Sequence, residues 1–133
     1  MSDLEKIFHL AIPCKNLKGA VAFYAGKLGV LVARQYDDRI TLNFFLDQVV
    51  CHLSPENIDP EPKMYPRHFG ITFRNKEEFD NLLETVREQN IEMFEEPFVR
   101  LEGLKEEHGT FFIKDPSNNL IEFNWYNDPS MMC

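Results

Sequence analysis

The chain reads as an α+β protein in which one pattern, a strand, a helix and three further strands, is used twice in tandem. Three observations predict this. Period-two alternation followed by helical periodicity begins near His9 and begins again near His68. Between the two runs, Ser54 to Pro66 holds Pro55, Pro60, Pro62 and Pro66 with three acids and no apolar period, as a linker does. Third, the halves match by position: His9 with Ala11 corresponds to His68 with Gly70, and His52-Leu53 corresponds to Glu122-Phe123. If the two curved mixed sheets face each other, these polar positions converge in one cup.

Each element has its own signal. Ile7 to Pro13 alternates, with Phe8, Leu10 and Ile12 on one side and His9 and Ala11 on the other. Asn16 is an N-cap for a helix over about Leu17 to Leu28, where Ala20, Val21, Tyr24 and Leu28 form the apolar stripe and Gly29 the stop. Three strand-like runs follow, Val30 to Tyr36, Ile40 to Leu46 and Gln48 to Leu53, with turns at Asp37-Asp38 and at Asp47. Past the linker, Arg67 to Phe73 alternates with His68, Gly70 and Thr72 on one face. A helix over about Lys76 to Gln89 carries Phe79, Leu82, Leu83 and Val86 on one stripe and stops at Asn90. Strands over Glu92 to Arg100 and Gly109 to Lys114 flank a charged, mobile loop, Leu101 to His108. The last strand, Asn119 to Tyr126, places Ile121, Phe123 and Trp125 against a core and Leu120, Glu122, Asn124 and Tyr126 on the opposite face. Asn127 to Cys133 reads as a frayed tail.

Composition narrows the function. With 133 residues, 44% of them hydrophobic and 12 of them Phe, the chain can bury a sizeable core. Its net charge of −8 disfavours a nucleic-acid partner, which would need clustered cations. Cys14, Cys51 and Cys133 contain no CxxC pair and suit a reducing compartment. The start Met1-Ser2-Asp3-Leu4-Glu5-Lys6 carries acids before any apolar run, unlike a secretory leader, and no stretch approaches 18 apolar residues. A cytoplasmic protein without membrane or nucleic-acid partners is expected, acting on a small molecule.

His9, His68 and Glu122 are the candidate metal ligands, because imidazole and carboxylate together suit Fe, Mn, Co, Ni or Zn and leave positions open for substrate. An inward histidine on a strand is more often a satisfied cleft residue, and a lone Glu122 more often pairs with Arg67 or Arg100; the repeated placement is what favours a metal. His52 stands where the repeat predicts a fourth ligand, or serves as a hydrogen-bonding or acid–base group. His108 is a further acid–base candidate, though a solvated loop histidine is the default, and Tyr126 is the aromatic residue able to reach substrate.

The residues then resemble a family. Phe8-His9-Leu10-Ala11-Ile12-Pro13, Asn16-Leu17, Ala22-Phe23-Tyr24, Lys27-Leu28-Gly29, His68-Phe69-Gly70-Ile71 and Phe112 to Phe123, with its Asp-Pro-Ser-Asn-Asn-Leu-Ile-Glu-Phe close, resemble the vicinal oxygen chelate superfamily. That group includes glyoxalase I, extradiol ring-cleavage dioxygenases, fosfomycin-resistance proteins and bleomycin-binding proteins. The resemblance implies a single domain over 1–133 made of two βαβββ modules, 7–54 and 67–126 about a 55–66 linker. It further implies a cup, often a homodimer, around a divalent metal held by His9, His68 and Glu122. Glyoxalase I has a Glu ligand where His52 stands, fosfomycin enzymes have Thr where Ala11 stands, and Phe111-Phe112 lie where dioxygenases offer Tyr. The resulting expectation is a metal-dependent enzyme, an extradiol-type dioxygenase with Fe(II) first, in which His52 or His108 manages protons. A glyoxalase I-like isomerase or lyase is the alternative, and a metal-free drug-binding protein the alternative of another class.

Overall fold

The computed structural model describes residues 5–133; Met1 to Leu4, which began the leader argument above, lie outside the described residues. The chain divides into two compact units. The first runs through Glu61 and includes Pro116–Asn119; the second comprises Pro62–Asp115 and Leu120–Cys133.

In the first unit, β1 (His9–Cys14), β2 (Leu31–Gln35), β3 (Arg39–Phe44) and β4 (Asp47–Leu53) form a sheet of order β1-β4-β3-β2. β1 runs parallel to β4 and the remaining pairs are antiparallel, so the sheet is mixed. Between β1 and β2, α1 (Leu17–Val21) is capped by Asn16, whose Oδ1 accepts from the Gly19 amide at 2.6 Å. It does not continue as α-helix to Leu28. Ala22–Lys27 is π-helical, and the Leu28 amide donates to Phe23 O at 2.9 Å, five residues back. The wider turn buries the adjacent Phe23 and Tyr24 together, with rings edge-on at 4.9 Å. Gly29, at φ +81, ends the element.

The β3–β4 turn lies earlier than the acidic Asp47 suggested. Phe45 (φ 53) and Leu46 (φ 77) occupy both centre positions, the left-handed pair of a type I′ hairpin, where Asn-Gly is usual. Asp47 instead starts β4 and accepts from the Phe8 amide at 3.0 Å.

In the second unit, β5 (Phe69–Phe73), β6 (Met93–Arg100), β7 (His108–Lys114) and β8 (Leu120–Tyr126) repeat the order as β5-β8-β7-β6, with β5 parallel to β8. The structure is therefore two tandem βαβββ-like sheet modules. Asn75 caps α2 (Lys76–Glu88), accepting from the Glu78 amide at 2.9 Å, and Asn90 (φ 54) follows its end. α2 buries Phe79, Leu82 and Val86, each worth roughly 1.5–3 kcal/mol relative to exposure. Phe79 meets Phe111 edge-on at 5.3 Å, which puts the helix on the sheet face of Phe111 and Phe123. Glu122, Asn124 and Tyr126 are thereby left on the other face.

Residues 116–119, which lie between β7 and β8 in sequence, are held by the first unit. Ser117 Oγ accepts from the Lys15 amide at 2.9 Å, and Asn119 Nδ2 donates to Pro13 O at 2.9 Å. Asn118 Nδ2 likewise donates to Asp59 O at 2.9 Å. None of the three cysteines is in a disulfide, and no helix among the described residues is long and apolar enough to cross a membrane.

Candidate functional site

Register in the second unit stacks the polar face into rungs. Gly70, Glu122 and Phe112 form one rung, Thr72, Asn124, Thr110 and Phe98 the next, and Tyr126, His108 and Arg100 the third. Gly70 is required at the first: a Cβ there would overlap the Glu122 backbone carbonyl, so only glycine lets β5 approach β8 at this point.

At the first rung, His68 Nε2 lies 3.0 Å from Glu122 Oε1, and Thr110 Oγ1 donates to Glu122 Oε2 at 2.6 Å. The Met64 carbonyl, an acceptor only, lies 2.6 Å from His68 Nδ1, so that nitrogen carries hydrogen. Nε2 is the nitrogen that faces the carboxylate. The side chains of His68 and Glu122 are 24% and 14% exposed. Phe112 closes on the imidazole edge-on at 5.2 Å, and Tyr65 does so at 5.8 Å. Glu122 is thus held from both sides by the protein's own donors.

The third rung is aromatic. His108 and Tyr126 stack at 4.5 Å, and His108 Nδ1 lies 2.9 Å from Glu106 O. His108 opens β7 and is buried, whereas sequence placed it in the mobile loop. Arg100, considered above as a partner for Glu122, instead donates to the Tyr65 hydroxyl and lies over that ring at 5.5 Å. On the middle rung Asn124 is buried, and its Oδ1 has no hydrogen-bond partner.

The structure corrects the metal expectation. Among the described residues, no group of three or more His, Cys, Asp and Glu side chains could hold a metal ion. Register supplies a reason. Gly70 pairs with Glu122, and its counterpart Ala11 pairs with Val50, so an apolar side chain occupies the position equivalent to Glu122 in the first module. His52 lies one rung on, between Pro13 and Arg39, and is exposed; it matches Asn124, not Glu122. His9 is exposed on β1 opposite Gln48. The Fe(II), Ni, Zn, Mn or Co set of His9, His68, Glu122 and His52 is therefore withdrawn, and with it the cup around a metal, the metal-dependent dioxygenase and the metal-dependent glyoxalase-like lyase.

Residues 6–123 match the Glyoxalase/Bleomycin resistance protein/Dioxygenase superfamily. The chain belongs to that superfamily. It is 54% identical to a glyoxalase/bleomycin resistance protein/dioxygenase of Alicyclobacillus acidocaldarius, whose crystal structure superposes with a TM-score of 0.96 over all of both chains. A glyoxalase domain-containing protein, RDO1, of Mycosarcoma maydis is 26% identical over 127 residues, covering 95% of this chain and 71% of that protein. A fosfomycin resistance protein of Listeria monocytogenes, 15% identical with a TM-score of 0.72 over 96% of this chain and 98% of its own, shares the fold.

Sequence reasoning missed Thr110, Met64 and Tyr65 as partners of this superfamily member's polar face. It placed Asn124 on that face without weighing it. Thr110 had a readable signal, since it alternates with Phe112 on a strand next to β8, but only the β7–β8 register brings it to Glu122.

Proposed function

We propose that this chain is a metal-independent small-molecule binding protein and that the polar face of β5, β8 and β7 carries its binding groups. The observation that supports this reading is the occupancy of Glu122: Thr110 and His68 take both of its carboxylate oxygens. A carboxylate satisfied in this way offers a fixed acceptor for a ligand. Membership in the superfamily supports a small-molecule ligand, and the stacked rings of Tyr126 and His108 supply apolar contact on the same face. The chain's charge of −8 favours a cationic or donor-rich molecule over an anion.

The test is a thermal-shift and calorimetric screen of small molecules in EDTA, repeated with Fe(II), Ni(II) and Zn(II). A ligand at about 100 times its Kd adds roughly 2.7 kcal/mol to stability. The expected result is a ligand whose shift is the same with chelator as with any of the metals. Stoichiometric metal uptake that ligand binding depends on, or oxygen consumption with a catechol, would overturn the reading.

A further inference from the structure

We propose that Arg100 takes the carboxylate of a zwitterionic ligand whose amine is held by Glu122, so that the polar face recognises an amino carboxylate; this rests on the binding-protein reading and deepens it.

Arg100 is a cation without a countercharge. Of the described arginines, Arg39 and Arg100 are half-buried and the others are exposed. Arg39 pairs with Asp38 at 2.7 Å, whereas among the described residues no carboxylate lies within ion-pair distance of Arg100. Carboxylates are not scarce in a chain with 22 Asp and Glu against 14 Lys and Arg. Arg100 instead gives one guanidinium N–H to the Tyr65 hydroxyl and lies over that ring at 5.5 Å. The fork keeps its other N–H groups, in the geometry that receives a carboxylate through two parallel bonds. The Tyr65 hydroxyl, an acceptor toward Arg100, retains its own hydrogen to donate.

These donors and the Glu122 carboxylate belong to one continuous set of contacts. The Tyr65 ring meets the Arg100 guanidinium on one side and the His68 imidazole, edge-on at 5.8 Å, on another, and His68 Nε2 lies 3.0 Å from Glu122 Oε1. Register agrees, since Arg100 shares the third rung with His108 and Tyr126 on the face that carries Glu122. The groups reach solvent: Tyr65 is 50% exposed, and the His68 and Glu122 side chains are 24% and 14% exposed. Each carboxylate oxygen has two lone pairs, so Glu122 can accept from an ammonium while Thr110 and His68 stay in place. Charge then chooses the ligand class. A plain anion meets the Glu122 carboxylate and the field of a chain of −8, and a plain cation leaves the Arg100 fork unfilled. A molecule with an amine at one end and a carboxylate at the other answers both groups.

The experiment titrates the full chain in EDTA with 4-aminobutanoate, 6-aminohexanoate and 8-aminooctanoate, followed by chemical-shift perturbation. Each is set beside its methyl ester, which keeps the amine alone, and the matching alkanoate, which keeps the carboxylate alone. At least one amino acid of the series is expected to bind roughly tenfold or more tighter than both of its controls, as a hydrogen bond to a charged group supplies. Arg100→Gln should abolish the preference over the ester and keep that over the alkanoate, and Glu122→Gln should do the reverse. Arg100→Lys should restore part of the first preference. A purely bracing role for Arg100 would move neither ratio, and melting curves of the variants check that the fold is kept. Tyr65→Phe removes the hydroxyl alone and should weaken the preference over the ester several-fold, which keeps the test open should Arg100→Gln fail to fold. No amino acid preferred over its controls, or an unchanged preference over the ester in both Arg100→Gln and Tyr65→Phe, would overturn the inference. If the esters or another member of the wider screen bind in EDTA while the amino acids show no preference, the binding-protein reading stands and this inference alone falls.

Discussion

His68 Nε2 faces Glu122 Oε1 at 3.0 Å while the Met64 carbonyl holds the opposite edge of the same imidazole at 2.6 Å. One imidazole therefore bridges the segment entering β5 and the carboxylate on β8, and Thr110 fixes the far carboxylate oxygen. This arrangement makes the substitutions at Glu122 unequal.

Glu122→Gln should be mild. The amide oxygen can accept from Thr110 and the amide nitrogen can donate to His68 Nε2, so every bond has a replacement, and a loss below about 1 kcal/mol is expected in urea denaturation. Glu122→Ala strands the Thr110 hydroxyl, which is fully buried, and should cost about 2–3 kcal/mol. Equal losses in the two variants would contradict the bonding described.

His9→Ala and His52→Ala should change stability by no more than about 0.5 kcal/mol, because both side chains are exposed. EDTA should leave the melting temperature of the unmodified protein where it is, and calorimetric titration with Zn(II) or Ni(II) should give no saturable one-to-one heat. A melting transition that chelator lowers would reverse this.

Gly70→Ala should cost about 3 kcal/mol, the upper end of overpacking losses, since the new methyl meets backbone, which cannot rotate away. The nearby β5–β8 amides should lose hydrogen-exchange protection. Gly26→Ala, with open space at its Cβ position, is the matched control and should be near neutral.

Leu46→Gly should stabilise the protein by roughly 1 kcal/mol. Leu46 is 80% exposed at φ 77, so glycine relieves left-handed strain and gives up little buried surface. A fall in the denaturation midpoint would show that this side chain is used in folding.

What was legible in the sequence was local. Alternation alone put Glu122, Asn124 and Tyr126 on one face of the last strand and His68 with Gly70 on one face of theirs, and Asn16 announced its helix. Register was not legible, because it depends on which strand lies opposite: His52 appeared to match Glu122 by counting, yet pairing places Val50 there. Phe45-Leu46 was hidden for another reason. An apolar pair reads as strand, and the acidic residue beside it drew the turn assignment one step on. The π-helical turn at Ala22–Lys27 keeps an apolar stripe close to that of an α-helix, so periodicity could not distinguish them.

The bonds from Ser117 and Asn119 to the first unit join residues 102 and 106 positions apart in the chain. Closing loops of that length is slow to reward, because chain entropy is lost before the contact is gained. The first module therefore cannot finish when its own last strand is made. Its Lys15 amide and Pro13 carbonyl wait for a turn synthesised after β7, so a chain emerging from the ribosome holds an incomplete first half until most of the second exists. A gene cut at the junction near Glu61 would yield an N-terminal piece missing part of its own unit, and the order of assembly, like the order of strands, is written across both repeats.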